Sequence, residues 1–254
     1  MKRNEFKIEI CSNGVASCRA AQEAEADRVE LCAGIPEGGT TPSAGTIALT
    51  RRLLTTTRLQ VIIRPRGGDF LYTDEEQQVM AEDIRMARRL GADGVVFGCL
   101  TADGDIDLPA CERLMREAEG LDVTFHRAFD RCREPLRALE ELIGLGVGRV
   151  LTSGQQPTAE AGIGLLRELN DHAQGRIRVL AGCGINESNI ARIARETGVR
   201  EFHCSVREPF RSAMRHYNPA VCMGTPGLDE DIQMLTTRRR VSATIAALET
   251  NETF

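Results

Sequence analysis

The chain has 254 residues and a net charge of −5, with 42% hydrophobic and 27% charged residues. That balance belongs to an ordinary globular chain of one large domain or two small ones, and the acidic excess argues against a nucleic-acid surface. No apolar run reaches the ~20 residues of a membrane span, Met1 to Glu5 lacks an apolar signal core, and there is no Trp to stack on bases or sugars, so a cytoplasmic location is the default expectation.

Short apolar strands alternate with longer amphipathic helices. Strand patterns fall at Lys7–Cys11, Arg28–Cys32, Gln60–Arg64, Gly94–Gly98, Asp122–His126, Arg149–Thr152, Arg176–Ala181 and Glu201–Ser205. Helical patterns lie near Val15–Glu25, Ala44–Thr55, Asp74–Leu90, Leu108–Glu119, Pro135–Leu145, Ala159–Ala173 and Glu187–Thr197. Thr73 or Asp74 suits an N-cap ahead of Glu75 and Glu76. Gly91, Gly146 and Gly198 each stand where a left-handed stop is needed. A last helix is expected near Leu228–Leu248, carrying Arg238, Arg239 and Arg240 on a solvated or partner-facing surface.

Eight such units in ~250 residues predict an α/β fold, a closed parallel (β/α)8 barrel of the TIM type. The rival, an open doubly wound sheet, fits less well because no strand reads as a polar edge. The barrel is expected over residues 1–206. Residues 207–254 are expected as an extension of loop plus helix, packing on the barrel or on a partner subunit.

Strand parity then selects an inward face. Ile8 and Ile10 oppose Glu9 and Cys11; Val29 and Leu31 oppose Glu30 and Cys32; Val61 and Ile63 oppose Ile62 and Arg64; Val123 and Phe125 oppose Thr124 and His126; Phe202 and Cys204 oppose His203 and Ser205. One face is apolar and suits the helices. The other carries Glu9, Glu30, Arg64, His126 and His203, which must pair if buried. The expected pairing is Glu9 and Glu30 with Arg64. Polar groups near strand C-terminal ends point to a site there.

Several motifs suit particular chemistry. Arg64-Pro65-Arg66-Gly67-Gly68-Asp69 places two guanidiniums beside a double glycine, a pattern for binding carboxylate or phosphate. Ala181-Gly182-Cys183-Gly184, entering a helix next to the strand bearing His203 and Ser205, suits an anion as well. His126 has the character of a general acid/base with a pKa near ~6.5, oriented by Asp130 or another carboxylate. Thr152 and Ser153 end a strand, but nothing shows either activated as a nucleophile. Nine cysteines are scattered singly, without a C-x-x-C pair, and should be thiols in a reducing compartment. Cys11 and Cys32 end neighbouring strands on the polar face, where two thiolates could hold a soft ion such as Cu(I); Cys183 could approach the same rim. A zinc site of His126, His203 and Glu30 has no local spacing to anchor it.

Val29-Glu30-Leu31-Cys32, Glu37 through Ser43, Arg64 through Tyr72, Gly91 through Gly98, Val123 through Asp130, Arg149 through Gly154 and Glu201 through Ser205 together resemble the CutC family of copper homeostasis proteins, over about Ile8 to Ser205. The resemblance implies a TIM-type barrel, a cytoplasmic location and a homodimer or higher oligomer. It also implies Cu(I) binding through cysteine, with Cys32 on the family's Glu-Leu-Cys motif as first ligand and Cys11 on the strand-one cysteine as second. Cys183 departs from the family pattern, where a third glycine is usual. Two functions compete. One is copper handling through Cys11 and Cys32. The other is an enzyme acting on a small anionic molecule, with Glu9, Glu30, His126 and His203 as catalytic groups and Arg64, Arg66, Gly182, Gly184 and Ser205 binding the anion.

Overall fold

In the computed structural model, residues 1–216, 218, 220, 221, 223, 224, 227 and 229–249 are described. Eight parallel strands close on themselves in chain order: β1 (Lys7–Ser12), β2 (Arg28–Leu31), β3 (Arg58–Ile62), β4 (Gly94–Phe97), β5 (Asp122–Phe125), β6 (Arg149–Thr152), β7 (Arg178–Gly182) and β8 (Glu201–Cys204). Closure is made by β1, whose Glu9 pairs in register with Arg28 on one side and with His203 on the other.

Helices α1 (Val15–Glu23), α2 (Ala44–Leu53), α3 (Asp74–Arg89), α4 (Leu108–Glu117), α5 (Pro135–Gly144), α6 (Ile163–Ala173) and α7 (Ile190–Thr197) follow the strands. Their limits come from local chemistry. Thr73 caps α3 in a capping box with Glu76, Ser43 accepts the Thr46 amide at the start of α2, and Asp107 accepts the Ala110 amide at the start of α4. Gly91, Gly146 and Gly198 adopt φ of +83°, +76° and +71°, the left-handed stop that glycine tolerates without a Cβ clash.

The main apolar core lies between strands and helices, with Ile8, Ile10, Val29, Leu31, Val61, Ile63, Val123, Phe125 and Phe202 fully or nearly fully buried there. The parity reading therefore holds: the opposite face of each strand points into the ring.

After β8 the chain departs from the expected helix. Arg207–Arg211 (β9) pairs antiparallel with Ile232–Thr236 (β10), and only then does α8 (Arg238–Glu249) begin. The expected start at Leu228 falls outside the described residues, and 232–236 is strand because β9 supplies a hydrogen-bonding partner. The short run Ile-Gln-Met-Leu-Thr fits either state in isolation. The hairpin is tied back to the barrel by Asn13 Nδ2 donating to the Met234 carbonyl (2.9 Å) and by the Thr236 amide donating to Ser17 Oγ (3.2 Å). Helix α8 contacts α1 and α7. It stands where the eighth helix of the ring belongs, so the ring is completed from the segment read as an extension. Among the described residues no helix is long and apolar enough to cross a membrane.

Candidate functional site

The barrel interior is ionic where most barrels are packed with aliphatic side chains. In the deeper layer, Glu201 is the hub. One of its carboxylate oxygens accepts from Arg28 Nη2 (2.6 Å) and Arg149 Nε (2.7 Å), and Arg178 Nε lies 3.4 Å from the other. Arg28 Nε also donates to Glu9 (2.9 Å), and Arg149 Nη1 donates to Asp122 and Thr124 (3.0 Å each). These groups are pinned by register: Arg28 stands opposite Glu9, and Arg149 opposite Thr124. They have the same strand parity as Glu30 and His203 and lie two residues earlier, so the alternation that selected Glu30 and His203 also selects Arg28 and Glu201.

One layer higher, Glu9 holds His203 through Oε1 and Nδ1 at 2.8 Å, and His203 Nε2 faces Glu30 Oε2 at 3.7 Å. Burial opposes charge on each of the three. Around Glu9 the Arg28 guanidinium and His203 override burial and keep its carboxyl well below the usual range. Glu30 lacks an arginine, so burial pushes its carboxyl up to about 8, with His203 opposing and Cys11 and Glu9 adding to the rise. Burial would depress His203, but Glu30, Cys11 and Glu9 outweigh it and hold the imidazole pKa well above its usual value. The cluster therefore keeps more protons at neutral pH than isolated side chains would.

Beside Glu30, the thiols of Cys11 and Cys32 meet at 3.7 Å. The ligand atoms of Cys11, Glu30 and Cys32 all lie within 4.8 Å of one another, the one such group among the described residues. Hydrogen bonding to Cys32 and burial both raise the Cys11 thiol. Arg207 Nη2 lies 3.3 Å from Cys11 Sγ. Metal–sulfur bonds of about 2.3 Å let two sulfurs at this separation share one ion, and soft thiolates select Cu(I). The donor set thus fits that metal.

Other expectations are corrected. Arg64 does not pair with Glu9 or Glu30. It turns back to the carbonyls of Glu37, Gly39 and Gly68 (2.8, 2.8 and 3.0 Å) and lies over the Phe70 ring. Arg66 is outside the mouth, bound to Glu76, Asp69 and loop carbonyls, where it locks the turn after β3. Gly182 serves packing: a Cβ there would stand 2.5 Å from Leu151 Cδ1. Asp130 does not orient His126. It accepts from Arg127 Nε (2.7 Å), Thr152 Oγ1 (2.5 Å), and the amides of Ser153 and Gln155 (3.0 and 3.1 Å), which also occupies the hydroxyls of Thr152, at the end of β6, and of Ser153 just after it. Nor does His126 have a general base's pKa. Burial and the Arg64 charge depress it to about 3. Its Nδ1 accepts the Ala128 amide (3.2 Å), so Nε2 keeps the proton, and among the described residues Nε2 is buried without a partner. Such an orphan donor costs about 1–3 kcal/mol. His126 and His203 do not join in a metal-binding group with Glu30 among the described residues.

Above these layers opens a cavity of about 650 Å³ at the C-terminal end of the strands, lined by Cys11, Glu30, His126, His203, Gly184 and Ser205 among others. The CutC family model matches residues 6–208. The chain belongs to the CutC family. A CutC family protein of Bacteroides thetaiotaomicron is 62% identical over 245 residues, spanning 96% of this chain and 98% of the relative. The copper homeostasis protein cutC homolog of Homo sapiens is 48% identical over 221 residues, spanning 87% and 81%. A solved CutC structure from Streptococcus agalactiae superposes with a TM-score of 0.76 at 35% identity, covering 79% of this chain and 98% of that one. An aldolase at 18% identity and TM-score 0.60 shares the fold.

Glu30-Leu31-Cys32 thus delivers a carboxylate to one wall of the cavity and a buried thiol beside it, with Leu31 turned to the core. Cys183 sits at φ +79°, a region where a side chain is strained and glycine is not. Its thiol donates to the Pro157 carbonyl at 3.1 Å and does not join Cys11 and Cys32. Alternation within the barrel strands did not reveal Arg127 and Arg131, in the turn after β5, or Arg207, at the start of β9, which line the same mouth.

Proposed function

We propose that this CutC protein binds Cu(I) in the barrel mouth through Cys11 and Cys32, as part of copper handling. The observation that carries the reading is the pair of thiols 3.7 Å apart at the ends of adjacent strands. A dithiolate holding one Cu(I) carries a net negative charge. Arg207, 3.3 Å from Cys11 Sγ, and His203, whose pKa the surrounding acids raise, supply compensating positive charge. Glu30 stands within reach as a further oxygen donor. The name of the human relative, a copper homeostasis protein, agrees with this chemistry.

Titration of the reduced protein with Cu(I) against a competing chelator tests it. One equivalent is expected to bind to wild type and to Cys183→Ser. Cys11→Ser and Cys32→Ser are each expected to weaken binding at least a hundredfold. Affinity unchanged in Cys32→Ser would remove the proposal.

A further inference from the structure

Cys11 lines the β1–β2 wall of the mouth with the buried Cys32 thiol next to it, and the β5 wall is built differently. Four arginines line the cavity against two carboxylates, although the whole chain carries −5. Arg64 gives both terminal nitrogens to backbone carbonyls and Arg207 faces Cys11. Arg127 and Arg131 remain. The Arg127 guanidinium is fixed by Asp130 and by Ser153 Oγ (3.0 Å), and Asp130 is itself fixed from β6. Its Nη1 makes no hydrogen bond among the described residues. Arg131, exposed at the rim, makes no ion pair among them. Next to Arg127 in the chain, His126 presents a buried Nε2–H without an acceptor. Phe70 packs on the imidazole with ring centroids 5.0 Å apart, and Ile62, Leu151 and Ile185 also line the space. A pocket of this size with an apolar lining and a few converging donors suits a small organic molecule, and a fixed guanidinium suits an oxyanion.

We propose that the β5 wall of the mouth binds a small organic oxyanion, a carboxylate or a phosphate ester, through Arg127, Arg131 and the Nε2–H of His126. The site is separate from the thiol pair. Ligand oxygen supplies the acceptor that His126 lacks, and the aromatic and aliphatic lining takes the carbon skeleton.

Calorimetric titration of the metal-free, reduced protein with glycerol phosphate, succinate and inorganic phosphate, at ionic strength held constant with chloride, tests this. Saturable binding of glycerol phosphate or succinate is expected, and which of them binds separates the phosphate class from the carboxylate class. Arg127→Met and His126→Phe should weaken it at least tenfold. Arg131→Ala, at an exposed position without an ion pair among the described residues, should weaken it severalfold in a protein that folds normally. Cys32→Ser should bind the anion as wild type does, so that failure of the copper reading leaves this result intact. No saturable binding by any organic probe, equal binding in Arg127→Met and Arg131→Ala, or loss in Cys32→Ser overturns the site.

Discussion

His126 and His203 sit at the ends of β5 and β8 facing the same cavity, yet their surroundings drive them in opposite directions. His203 lies between two carboxylates, and charge wins over burial. His126 has Arg64 near it and no acid, so charge and burial act together and its pKa falls from 6.5 to about 3. Between those values the unfolded chain holds a proton that the folded chain refuses. Stability therefore rises with pH across that window, by about 1.4 kcal/mol per unit. His126→Phe removes the linkage. Its stability deficit relative to wild type, from urea unfolding, should shrink by about 2 kcal/mol between pH 6.5 and pH 5; a constant deficit would mean that His126 titrates alike in both states. His203 contributes with the opposite sign: its stabilisation is full below the unfolded value and fades as pH rises through the folded one. From the sequence both residues read as interior histidines, because parity fixes which way a side chain points. Parity says nothing about the partner. The carbonyls that bind Arg64 come from the loop after β2 and from its own loop, and the donors around Asp130 come from the end of β6 and the residues after it, so the roles of Arg64, Arg66, Asp130 and His126 were not legible in the chain.

At the scale of the elements, the eight barrel strands were legible to within one or two residues because each is an apolar run bounded by glycine or charge. β4 shows what register adds. A Cβ at Gly94 would collide with Gln60 Oε1 and with the Asp122 carbonyl, so the Gln60 side chain from β3 fills the space that residue 94 leaves. The ionic layer works likewise across strands: Glu201 on β8 joins β2, β6 and β7 through Arg28, Arg149 and Arg178. A buried ion pair is weak evidence of net stabilisation, but removing one partner leaves charge unpaired in the interior. Arg28 and Arg149 are nearly fully buried. Glu201→Gln should therefore cost about 3–5 kcal/mol, read as a lower denaturant midpoint. Replacing exposed Glu160, which pairs with Arg192 on the outside, should change stability by less than about 1 kcal/mol. Equal effects would show that the interior network is dispensable.

At the scale of the molecule, the site depends on a ring that is closed twice, once in the strands and once in the helices. β1 joins β8 by a parallel ladder. The helical ring closes only after the chain has made the β9–β10 hairpin, when α8 fills the place between α7 and α1. This late closure was the least legible part of the fold. The segment lacks the strand–helix spacing of the other seven units, and a strand run lies where a helix was expected. Val241, Thr244, Ile245 and Leu248 are buried on the inner face of α8, and the Met1 amino group donates to the Leu248 carbonyl at 2.8 Å, which ties the start of the chain to its last helix. The same hairpin carries Arg207 to the thiol pair. Anchoring of α8 should therefore be felt both in stability and at the mouth. Ile245→Ala, which empties a buried position outside the cavity lining, should cost about 2–5 kcal/mol. If closure is cooperative, hydrogen exchange should speed up in α8, in β1 and along β9 together. Faster exchange confined to α8 would mean that the barrel and its mouth hold their shape without the eighth helix.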